Sequence, residues 1–227
     1  MQSGHAVLFD LDGTLVDSAC DLHAAMVNLM RTEGRQAPPL EQFRRVVSKG
    51  ARAMLALSYP DLDEVAREDR VPAFLEHYAG TVEDHPGAYD GIVQVLEAIE
   101  ASGALWGIVT NKPEVLARRV VSAMGWDTRT AVLVGGDTLP VKKPDPGTLL
   151  HACAKIGVSP AQCVYVGDDE RDVLAARAAG IVSVAVAWGY RELHESPEDW
   201  RPDRIAREPR DLLRPGMLAV PGSTAGA

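Results

Sequence analysis

The chain reads as an α/β protein: a doubly wound parallel sheet carrying an inserted all-helical cap. Three observations predict this. Five short apolar runs have the length and composition of buried strands. Most are separated by amphipathic stretches that close on glycine, the pattern of strand–helix alternation. A long stretch between the first two runs holds helical patterns and no convincing strand.

The elements follow in order. Ala6–Phe9 is the first strand, ended by Asp10-Leu11-Asp12-Gly13-Thr14. From about Asp17 to Asp84 come amphipathic stretches such as DLHAAMVNLMRTEG and VPAFLEHYAG, too long a connection for a loop. Asp17 and Ser18 read as a helix cap at the entry to this insertion, and Pro86–Gly87 as the hinge of return. The remaining strands are expected at Leu105–Val109, Ala131–Val134, Cys163–Val166 and Val182–Ala187. Between them NKPEVLARRVVSAMG, DPGTLLHACAKIG and DDERDVLAARAAG each stop on glycine. The expected division is a core of residues 1–16 and 85–213, a helical cap of 17–84, and a flexible tail of 214–227. The proline-rich stretch after Trp200 is expected to pack loosely at best.

Composition excludes several classes. The 227 residues carry 23 basic and 32 acidic side chains, a net charge of -9, with no Lys/Arg-rich run. Nucleic acid and anionic membrane are therefore poor partners; a small anion, which needs only local positive charge, is not excluded. No apolar run is long enough to cross a bilayer, and Asp10 and Asp12 interrupt the N-terminal apolar stretch too early for a signal peptide. Cys20, Cys153 and Cys163 show no metal-binding spacing and are expected as reduced, buried thiols of a cytoplasmic protein.

Four strand ends hold the chemistry. Asp10 and Asp12, two apart on a strand, point the same way. At ~4 Å and an effective dielectric near 20 their repulsion is on the order of 4 kcal/mol, which a divalent cation would relieve. Thr110 and Asn111 in GIVTNKPE stand where a helix opens and an anion is welcome; as a bland alternative, Asn111 caps the helix. Lys142 and Lys143 in VKKPDP offer point charges, or are merely solvated. In VYVGDDERDV a strand delivers Asp168, Asp169, Glu170 and Asp172 together. Some of these acids would suit a helix dipole, but so many ask for a cation. Parallel topology brings all four ends to one edge of the sheet.

In this order the motifs DLDGTLVDS, VTN, KKPDP and GDDERD resemble the haloacid dehalogenase superfamily, over residues 6 to about 213. The resemblance implies a Rossmann-like core, a mobile helical cap and a Mg²⁺-dependent phosphatase forming an aspartyl-phosphate. By it, Asp10 is the nucleophile. Asp12 protonates the leaving oxygen and later activates water, its main-chain carbonyl touching the metal. Asp168 completes the metal's ligands, Thr110 and the Asn111 N–H hold phosphoryl oxygens, and Lys143 neutralises nucleophile and phosphate. Asp172 orients Lys143 or water on the metal, with Asp169 beside it. Dehalogenases resemble the chain less well, because they lack the second aspartate; phosphosugar mutases keep it, and a non-catalytic phosphate-binding protein would lack one of the functional groups. Two phosphatase groups are similar: those acting on phosphoglycolate, and those acting on N-acetylmuramic acid 6-phosphate. Either substrate carries a carboxylate, for which Lys49 and Arg52 in SKGARAM are the candidate cap cations, or else a solvated helix end. The partner expected is a small phosphorylated metabolite, and the protein a monomer or homodimer.

Overall fold

In a computed structural model, residues 4–82 and 87–220 are described. Six parallel strands form one sheet in the order β3-β2-β1-β4-β5-β6: β1 Ala6–Phe9, β2 Leu105–Val109, β3 Leu133–Val134, β4 Cys163–Gly167, β5 Val182–Val186 and β6 Arg204–Ala206. β1 is central, with Phe9 level with Ile108 of β2 on one side and Val166 of β4 on the other. The strand order reverses between β1 and β4, the position where open α/β sheets bind ligands.

Strands β1 to β4 carry apolar, aromatic and small side chains throughout because both faces are covered. Val7, Phe9, Trp106, Ile108, Val164 and Val166 point into the larger core cluster. Leu8, Val109, Cys163 and Tyr165 point into the other, under helices α8 (Gly147–Ile156) and α9 (Glu170–Ala179). These helices stop on Gly157 and Gly180, both left-handed C-caps. Helices α6 (Ile92–Ala101) and α7 (Glu114–Ala123) bury Ile92, Val95, Leu96 and Ile99, and Leu116, Ala117, Val120 and Val121.

Between β1 and β2 the described chain is helical: α1 Ala19–Thr32, α2 Leu40–Arg44, α3 Ala51–Ser58, α4 Glu64–Glu68 and α5 Val71–Thr81. In α1, Leu22, Ala25, Met26, Leu29 and Met30 recur at helical spacing and are buried, and α1 packs against α5, whose Phe74 and Tyr78 are also buried. At the entry to the insertion Arg44 donates to both oxygens of Asp17 at 2.9 and 2.8 Å, and the Tyr190 hydroxyl of the core donates to Asp17 Oδ1 at 2.7 Å. Among the described residues no helix is long and apolar enough to cross a membrane.

Four expectations need correction. The stretch after Trp200 is not loose: it supplies β6, beside β5, and buries Ala206, Leu212 and Val220. β3 is two residues long rather than four. Cys20 is exposed, on the side of α1 away from Leu22 and Met26, while Cys153 and Cys163 are buried with their sulfurs 3.4 Å apart. Ser18 occupies the N-cap position of α1 but turns its hydroxyl to Asp12, and Asp17 accepts from the Ala19 N–H instead. Pro86 of the return hinge and the segment 221–227 of the expected tail lie outside the described residues.

Candidate active site

Asp10 leaves the carboxyl end of β1, its N–H held by the Val166 carbonyl of β4 at 2.9 Å. Its Oδ1 accepts from the Leu11 N–H at 2.8 Å and lies 3.0 Å from Lys143 Nζ. Asp168 leaves β4 next door and is 1% exposed. It accepts from Ser48 Oγ at 2.6 Å, the Tyr190 N–H at 2.8 Å and Thr14 Oγ1 at 3.2 Å. Gly13 makes this approach possible. Its φ of +83° is left-handed, and a Cβ there would run into the Asp168 carboxylate.

Asp172, in the first turn of α9, accepts from Lys143 Nζ at 2.7 Å and from the Asp169 N–H at 3.1 Å. The latter bond is half of a capping box whose other half is the Asp169 side chain. Lys143, 3% exposed, thus bridges Asp10 and Asp172, and also donates to the Tyr165 hydroxyl at 2.7 Å. That hydroxyl donates in turn to the Val109 carbonyl at 2.7 Å. Burial alone would depress the Lys143 pKa; the carboxylates of Asp10 and Asp172 outweigh it and hold the ammonium charged.

Asp10, Asp168 and Asp172 place one carboxylate oxygen each within 4.8 Å of one another, all three buried. Burial first, then the charges of Asp10 and Asp172, push the Asp168 carboxyl well above its ordinary range. Burial likewise lifts Asp172, to about 6, against the pull of Lys143. A cluster of hard oxygen donors under mutual repulsion fits a divalent cation. Asp12 is not in that cluster. Its side chain turns aside, accepting from Ser18 Oγ at 2.6 Å and from Lys112 Nζ at 2.9 and 3.1 Å. Its expected contact with a metal is therefore left to its main-chain oxygen.

Thr110, buried at the end of β2, donates its N–H to Val134 of β3 and accepts from the Lys112 N–H through Oγ1. Asn111 is not a helix cap. α7 begins only at Glu114, whose N–H is taken by Asp137 at 2.7 Å, so the anion site expected at that helix end is partly spent. The Asn111 side chain instead clasps the Lys143 backbone, donating to its carbonyl and accepting from its N–H, each at 3.0 Å. It holds the lysine loop against the end of β2.

The two insertion cations differ. Lys49 reaches the core, 3.1 Å from Asp169 and 2.6 Å from Glu195. Arg52 forms a pair with Glu68 at 2.6 and 2.5 Å and is 67% exposed, at the cavity's rim. Asp169 also holds Arg171, which donates to the Ser48 carbonyl, so several bonds join the turn at Val47–Lys49 to α9. Under the insertion lies a cavity of about 310 Å³, with Asp10, Asp12 and Lys143 at its floor and apolar walls including Leu22, Met54 and Phe74.

Reading residues along the sequence misses Lys112, Ser48, Tyr78 and Tyr190, and takes Tyr165 for plain core. Lys112 carried a signal: a cation three residues past a buried strand, inside the motif read for anion binding.

The model of a family described as haloacid dehalogenase-like hydrolase matches residues 5–180. A phosphoglycolate phosphatase of Xanthomonas campestris pv. campestris is 49% identical, the match covering 97% of this chain and 100% of that one. An N-acetylmuramic acid 6-phosphate phosphatase of Pseudomonas aeruginosa is 39% identical, covering 92% of each. The crystal structure of a predicted phosphoglycolate phosphatase from Haemophilus somnus superposes with a TM-score of 0.80 at 28% identity, over 94% of this chain and 98% of that one.

Proposed function

From the premise that this chain belongs to the haloacid dehalogenase-like hydrolase family, we propose that it is a Mg²⁺-dependent phosphatase for a small phosphomonoester, 2-phosphoglycolate first among them. The observation that carries the reading is Lys143 buried between Asp10 and Asp172 at 3.0 and 2.7 Å, at the strand-order switch point. A lysine so placed offsets the charge of a nucleophilic carboxylate and faces the same phosphoryl group that the carboxylate attacks.

Asp10 attacks phosphorus in line and becomes the aspartyl-phosphate, and the ester oxygen departs with its electron pair. Asp12 gives that oxygen a proton, then takes one from the water that hydrolyses the intermediate. Thr110 and the Asn111 N–H hold phosphoryl oxygens, while Asp172 orients Lys143. Asp10 and Asp168, with the Asp12 main-chain oxygen, are the residues that would hold Mg²⁺, which when bound neutralises charge on the carboxylates and the phosphoryl group. Asp169 steadies the opening of α9 and, through Lys49, the insertion; Lys49 and Arg52 stand where a substrate carboxylate would enter. We place the division of labour at a core of 1–16 and 85–213 and a cap of 17–84, in a cytoplasmic monomer or homodimer.

One observation favours a second substrate. The cavity's apolar wall of Leu22, Met54 and Phe74 meets no apolar group of comparable size on a two-carbon ester, whereas an acylated sugar such as N-acetylmuramic acid 6-phosphate would use it. Phosphate release from both esters and from hexose phosphates, with Mg²⁺, tests the reading. Turnover of 2-phosphoglycolate at the highest kcat/KM is expected; preference for the acyl sugar moves the assignment to the second substrate. Release from none of them overturns the proposal.

A further inference from the structure

Lys112 has no part in the roles above, yet its environment is as fully specified as that of Lys143. It sits on the loop from β2 to α7, is 9% exposed, and sends its ammonium to three oxygens. These are Asp12 Oδ1 at 2.9 Å, Asp12 Oδ2 at 3.1 Å and the Tyr78 hydroxyl at 2.8 Å. Nζ also lies 4.3 Å from the centroid of the Tyr78 ring. Tyr78 belongs to α5 of the insertion and is 1% exposed. One buried ammonium therefore joins the core to the insertion and grips both oxygens of a single carboxylate.

Two physical arguments bear on what this does. A buried ion pair persists only where the geometry satisfies both partners. An ammonium has three protons, and here three acceptors take them. Lys112 differs from Lys143 in where its protons go: Lys143 turns to the nucleophile Asp10 and to Asp172, whereas Lys112 turns to both oxygens of Asp12 and to Tyr78. Its effect falls on Asp12.

We propose that Lys112 and Tyr78 form a positioning pair that fixes the aim of Asp12 and ties that aim to the docking of α5 over the site. The proposal rests on the phosphatase reading, in which Asp12 carries protons for both steps. An alkyl ester needs Asp12 in each step. An aryl ester needs it only in the second: the aryloxide leaves with its electron pair unprotonated as the Asp10–phosphorus bond forms. Water then attacks, the Asp10–phosphorus bond breaks with its pair returning to Asp10, and the water proton goes to Asp12.

The test is rapid mixing of p-nitrophenyl phosphate and Mg²⁺ with the parent, Lys112→Met, Lys112→Arg and Tyr78→Phe. In Lys112→Met we expect a stoichiometric burst of nitrophenolate at near the parent's rate, then a steady rate lower by about tenfold or more with KM little changed. Tyr78→Phe, which keeps the ring, should move the same way by a few-fold at parental Tm. Lys112→Arg should recover part of the loss. Steady rates in all variants within about twofold of the parent overturn the proposal. So does loss of the burst along with turnover in Tyr78→Phe at parental Tm, since the pair would then serve attack on phosphorus itself. If Lys112→Met does not fold, Tyr78→Phe decides alone. Should the parent release nothing from any ester, the phosphatase reading falls first and this proposal with it; a parent that turns over beside unaffected variants removes only the proposal.

Discussion

Asp168→Asn should make the metal-free protein more stable while abolishing its response to divalent cations. The Asp168, Asp10 and Asp172 carboxylates bring oxygens within 4.8 Å of one another. At an effective dielectric near 20, each ionised pair at that distance repels by about 3.5 kcal/mol. Hydrogen bonds from Ser48, Tyr190 and Thr14, and the Lys143 charge nearby, offset part of this. Asparagine keeps an acceptor for the Tyr190 N–H and the Ser48 hydroxyl but removes the charge. A net gain of about 1 to 3 kcal/mol follows, or roughly 3 to 10 °C in Tm for a chain of this size. The parent should regain the same ground on adding Mg²⁺: at one hundred times its Kd, a cation that binds only the folded state stabilises by about 2.7 kcal/mol. The assay is thermal unfolding near neutral pH, with chelator and with a Mg²⁺ titration, on both proteins. A metal-free Asp168→Asn less stable than the parent, or one that still gains the parent's increment from Mg²⁺, would refute the reasoning.

Two further outcomes follow from the same cluster. Without metal, stability should fall as pH rises from about 4 through 6: the Asp172 carboxyl titrates near 6 in the fold against 3.8 unfolded, so the native state binds its proton more tightly. The cost is on the order of 3 kcal/mol, added Mg²⁺ should flatten the slope, and a metal-free Tm that rises across this interval would contradict it. The paired Asp17 and Asp169 are held low and act only below pH 4, outside this window. Gly13→Ala should cost at least about 2 kcal/mol and remove Mg²⁺ stabilisation, because a left-handed residue would acquire a side chain aimed at Asp168; unchanged unfolding and metal titration curves would refute that account.

Sheet and helices were legible because their signals are local. The apolar runs around Phe9, Ile108, Val166 and Val184 are strands buried on both faces, and Gly157 and Gly180 mark helix ends through their own backbone conformations. β6 escaped because Arg204–Ala206 is a short edge strand with one apolar anchor. Its position also depends on Asp203 accepting from Ser183 of β5, twenty residues earlier in the chain. The aspartates at the ends of β1 and β4 were legible for the same reason as the strands: topology carries them to one edge. Lys112 and Tyr78 were not. A lysine becomes a buried ion-pair partner only through distant residues, here Asp12, 100 positions away, and Tyr78, 34 positions away, and no periodicity records that. Tyr165 has the apolar setting of a core residue, and only its hydroxyl, between Lys143 and Val109, belongs to the site.

The central claim is that Asp10 accepts the phosphoryl group, and acid-quenching the enzyme during turnover of 2-phosphoglycolate with Mg²⁺, followed by peptide mapping, tests it most directly. The account predicts a phosphorylated peptide spanning Asp10 that Asp10→Asn no longer yields, with phosphate release lost in parallel. Undiminished phosphate release by Asp10→Asn, or phosphate mapped to another peptide, would contradict it.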